Sequence, residues 1–169
     1  MKRLLLSSIL VILNVIIINN AAAGMDYNGL KFELPISLKE AVNTFDLDSE
    51  KSLRKGDIDN REVLVHKGEN NDVIGVTFYK KCESYKKLED THKYDYSELE
   101  EKYKKKFKAF DFSFFTSLDG KHYLMPLESG ATVVLGDVMY NSASNNYVTV
   151  SFFQNVSAKK ILLSLNTIY

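Results

Sequence analysis

Cysteine is almost absent from this chain. Cys82 stands alone among 169 residues, so no internal disulfide can form and the core must hold without one. The same scarcity removes the thiolate sets on which structural zinc sites usually draw. The three histidines, His66, His92 and His122, are widely separated, and none has a second ligand at HxxxH or HxH spacing, so no metal is expected. The eight glycines are scattered singly, without a run that could cradle a phosphate, so no nucleotide or other cofactor is expected. No GxSxG elbow occurs, and the nearest string, Leu127-Glu128-Ser129-Gly130, falls in a predicted turn. With no catalytic residue nominated, the chain reads as a non-enzyme.

Charge of one sign is lacking as well. The 22 basic and 22 acidic residues cancel, and removing Lys2 and Arg3 leaves a formal charge of −2, a balance that does not recruit nucleic acid. The acidic stretch from Asp46 to Asn60 invites a calcium reading through Asp46, Asp48, Glu50, Asp57 and Asp59. An EF-hand beginning at Asp46 needs glycine at its sixth position and glutamate at its twelfth, where the chain has Lys51 and Asp57. The stretch is therefore read as a solvated loop.

What the chain does have begins with an apolar run. Lys2 and Arg3 precede Leu4 to Ile18, and Ala21 and Ala23 supply the small residues of a cleavage site. The run is short of the roughly 20 residues a spanning helix needs. Residues 1–23 are expected to be a secretory signal peptide and residues 24–169 a single α+β domain. The product is expected to be exported, periplasmic or extracellular, with no stable membrane anchor after cleavage.

Along the domain, Leu30, Phe32 and Leu34 alternate as a strand that Pro35 ends. Ser37 and Glu40 form a capping box for a short helix with Leu38, Ala41, Val42 and Phe45 on one face. Arg61–Lys67 and Asp72–Lys80 are predicted to form a hairpin, and 81–94 reads as a polar connection. Asp95–Phe110 reads as the longest helix, capped by Ser97 and Glu100, with Tyr96, Leu99, Tyr103, Phe107 and Phe110 as its apolar stripe. Glu98, Glu100 and Glu101 face Lys102, Lys104 and Lys105 one turn later, which argues for a solvated, self-neutralised face. After it, Phe112–Leu118, Asp119-Gly120, Tyr123–Leu127, Ala131–Tyr140 and Tyr147–Gln154 read as an antiparallel meander, and Ser157 opens a last helix. The fold class is α+β: an antiparallel sheet of about six strands, hairpin plus meander, packed by two or three amphipathic helices.

Two stretches echo each other: Val76-Thr77-Phe78-Tyr79 and Val150-Ser151-Phe152-Phe153. If Val76, Phe78, Val148, Val150 and Phe152 face the core, alternation sends Thr77, Tyr79, Tyr147, Thr149, Ser151 and Phe153 to the other side of the sheet. Either a helix covers that side or it meets a partner. Tyr79, Tyr147, Thr149 and Phe153 are the candidate partner-binding residues, since aromatic side chains among hydroxyls supply interface area at low entropic cost. The functional expectation is a protein-binding domain, such as an inhibitor or an immunity protein that neutralises an envelope-targeted toxin or enzyme. The alternative is a carrier or sensor of a small apolar ligand held between sheet and helix.

Overall fold

The computed structural model describes residues 24–47, 54–58, 60–68, 70–110, 122–139 and 146–154. The expected signal peptide, the Phe112–Leu118 strand, the Asp119-Gly120 turn and the helix from Ser157 lie outside the described residues. The fold class is α+β, with helices packed on an antiparallel sheet.

The described residues open with a small hairpin rather than one strand. Strands β1 (Met25–Tyr27) and β2 (Leu30–Phe32) pair across Asn28 and Gly29, whose φ angles of 51° and 82° are those of a two-residue primed turn. The two-residue β3 (Ile36–Ser37) leads into helix α1 (Leu38–Thr44). Ser37 caps α1 as the sequence suggests, its Oγ accepting the Glu40 N–H at 3.2 Å, and Leu38, Ala41 and Phe45 are buried. Part of the presumed acidic loop is a strand, β4 (Arg54–Ile58), which pairs with β5 (Arg61–Lys67). The charges of Arg54, Lys55 and Asp57 and the lack of a steady apolar period hid it, and β4 stands at the end of the strand order.

Strand β6 (Asp72–Cys82) follows, and helix α2 (Tyr85–Tyr103) then occupies the stretch read as a connection. Its cap is Ser84, whose Oγ accepts the Lys87 N–H, and not Ser97. The helix stops at Lys104, which takes a left-handed φ of 51°. Glu100, expected at the helix start, instead closes its end by accepting the Phe107 N–H at 2.9 Å and the Lys106 ammonium. Phe107 is still buried, but from the segment after the helix, with its ring 5.0 Å from that of Tyr96. Phe110 belongs to β7 (Lys108–Phe110). The lysines bond differently from the one-turn pattern: Lys102 meets Asp26, and Lys105 meets Glu128 at 3.5 Å.

Strands β8 (His122–Pro126), β9 (Ala131–Met139) and β10 (Asn146–Gln154) complete the sheet. Its order is β4-β5-β6-β10-β9-β8-β7, with β3 paired to the start of β6. The echoing stretches thus lie side by side at the centre: Val76 pairs with Phe152, Thr77 with Ser151 and Phe78 with Val150. Their likeness follows from shared position, since both strands are central and buried on both sides.

One side of the sheet carries both described helices and the β1–β2 hairpin. Val63, Val65, Val76, Phe78, Met125, Val133, Leu135, Val148, Val150 and Phe152 point there and are buried with Leu38, Ala41, Leu88 and Leu99 of the helices. Phe32 stands edge-on to Phe152 at 5.3 Å, and Tyr27 packs on Phe78 at 4.7 Å. Tyr103 fastens α2 to the hairpin by donating its hydroxyl proton to the Asp26 carbonyl at 2.9 Å. No described helix is long and apolar enough to cross a membrane.

Candidate interaction face

The other side of the sheet carries the residues singled out from the sequence. Register puts Thr149 opposite Tyr79, Ser151 opposite Thr77, Phe153 opposite Gly75 and Tyr147 opposite Lys81. Tyr147 and Tyr79 are therefore diagonal neighbours on adjacent central strands, about 7–8 Å apart along the backbone and within reach of two aromatic side chains. All four candidates share this side, as alternation requires.

They do not share an environment. Tyr79 and Tyr147 are half-buried, whereas Thr149 is 2 % exposed and Phe153 0 %. Of the two alternatives for this side, covered or open, Phe153 and Thr149 are covered and only Tyr79 and Tyr147 keep partial exposure. Glu62, opposite Tyr79 on β5, and Lys81, opposite Tyr147, are exposed, so the open area lies at the end of the sheet where β6 runs toward Cys82. Two half-buried tyrosines flanked by charges thus lie at one end of β6 and β10, and Thr77, Ser151 and Phe153 are buried farther along the same strands.

That interior is polar. Thr77 Oγ1 lies 2.7 Å from His66 Nε2 and 2.8 Å from Ser151 Oγ, a hydrogen-bonded chain across β5, β6 and β10. Thr149 donates to the Gly136 carbonyl at 3.3 Å. Burial holds the His66 imidazole down to about 4, so at neutral pH it is uncharged. Two glycines give rings room to lie flat on the sheet. A Cβ on Gly75 would sit 2.4 Å from Phe153 Cδ1, and one on Gly136 would sit 2.7 Å from His122 Cδ2. The Phe153 ring also packs on His66 with centroids 4.9 Å apart, so this polar interior is closed by rings as well as hydrogen bonds, at the end of the strands away from Tyr147.

A second polar group, missed by sequence reasoning, lies on the helix side. Asp95 of α2 and Arg61 of β5 are both buried, and Arg61 Nη2 donates to both carboxylate oxygens at 2.8 and 2.9 Å. The guanidinium carbon stands 5.4 Å from the centre of the Tyr27 ring. Burial pushes the Asp95 carboxyl up, and the guanidinium opposes that push. The signal was present: alternation with Val63 and Val65 turns Arg61 inward, and an inward arginine requires an acid. This pair ties α2 to the sheet. Cys82 is buried with its Sγ 3.9 Å from Thr91 Oγ1, a packing role.

Among the described residues no group of three or more His, Cys, Asp or Glu side chains is arranged to hold a metal ion. Comparison with known proteins gives no match, whether to a protein-family model, a curated protein or a solved structure.

Proposed function

We propose that this chain is an exported, non-enzymatic protein-binding domain, acting as an inhibitor or an immunity protein against an envelope-targeted toxin or enzyme. It engages its partner through Tyr79 and Tyr147, with Thr149, paired with Tyr79, as the buried residue beside them and Phe153 buried at the far end of the same side. The observation that carries this reading is the placement of two half-buried tyrosines, diagonal across the central strands and flanked by exposed charges, on a face whose centre is buried. Aromatic anchors held by a rigid surround are where binding energy concentrates at protein interfaces, because they bury large area with little ordering cost. Glu62 and Lys81 beside them provide the polar rim that such an anchor pair needs. The leader-like amino terminus supports export.

The test is capture from the envelope of the producing cell with the chain beginning at Gly24, in parallel with a Tyr79→Ala, Tyr147→Ala double variant. One or a few proteins should be retained by the wild type and lost by the variant. Equal retention by both would take the interface away from this end of the sheet.

A further inference from the structure

We draw no further inference here: the strongest candidate, the buried polar face around His66, Thr77, Ser151 and Phe153, lies on the side of the sheet where neither described helix packs, and nothing in the structure shows what covers it.

Discussion

At the centre of this sheet the two faces are buried to the same degree by different chemistry. Toward the helices, Val76, Phe78, Val150 and Phe152 are 0 % exposed and wholly apolar. One residue along each strand, Thr77 and Ser151 are also 0 % exposed, yet they bring hydroxyls and depend on His66 to satisfy them. An apolar face is stabilised by the area it buries and by close packing, with no hydrogen bond to satisfy. A polar one is stable only while every donor finds its acceptor, and losing a partner leaves a desolvated group behind. The helix side therefore sets how stable the domain is, and the polar side makes that stability sensitive to single atoms and to pH.

Breaking the apolar side should have the largest effect. Phe152→Ala removes a ring packed against Phe32, Tyr27 and Phe78, and should cost about 3–5 kcal/mol in denaturant melts, nearly unchanged between pH 7 and pH 5. The exception on that side is the ion pair. Asp95→Ala strands Arg61 in the core and should cost about 3–5 kcal/mol, whereas Asp95→Leu together with Arg61→Met should recover most of the loss. If the double variant were as unstable as the single, the pair would contribute more than its mutual neutralisation.

On the polar side the expected effect is a pH dependence. His66 titrates near its ordinary 6.5 when unfolded and at about 4 when folded. As pH falls through that window the unfolded chain binds a proton that the folded one refuses, so stability is intact above about 6.5 and declines toward 4. The full loss is about 3 kcal/mol. Melting curves of wild type and His66→Gln should diverge in slope between those limits, and parallel curves would contradict the burial argument. Smaller again, Thr77→Val keeps the shape but removes the hydroxyl between His66 and Ser151, at a cost of about 1–3 kcal/mol. A neutral result would mean the two flanking groups find other partners.

The same comparison explains what could be read from the sequence. Strict alternation made β6 and β10 legible, including which residues point to which side, because a strand cannot turn one side chain without turning all of them. Helix α1 was legible from Ser37 and Glu40. Helix α2 was misplaced because two of its four buried residues, Thr91 and Asp95, are polar, and a stripe of Leu88, Thr91, Asp95 and Leu99 does not look apolar. Its true end depends on a left-handed Lys104, which no propensity announces. The first hairpin was missed although Asn28-Gly29 is a strong turn signal, because the alternation of Leu30, Phe32 and Leu34 drew one longer strand through it. For the candidate site, period placed Tyr79, Tyr147, Thr149 and Phe153 together. It could not say which were covered, since burial depends on elements distant in sequence.

The central claim is that the open end of the polar side, and not its closed interior, meets the partner. It is tested most directly by titrating the captured partner into Tyr147→Ala and Phe153→Ala and recording a melting temperature for each. The account predicts that Tyr147→Ala loses about 2 kcal/mol of affinity, on the order of thirtyfold, with its melting temperature nearly unchanged. Phe153→Ala should lose stability while its folded fraction keeps most of its affinity, because its ring is 0 % exposed. If Tyr147→Ala instead lowered the melting temperature and left affinity in the folded fraction unchanged, the tyrosine would be a packing residue and the proposed interface would be wrong.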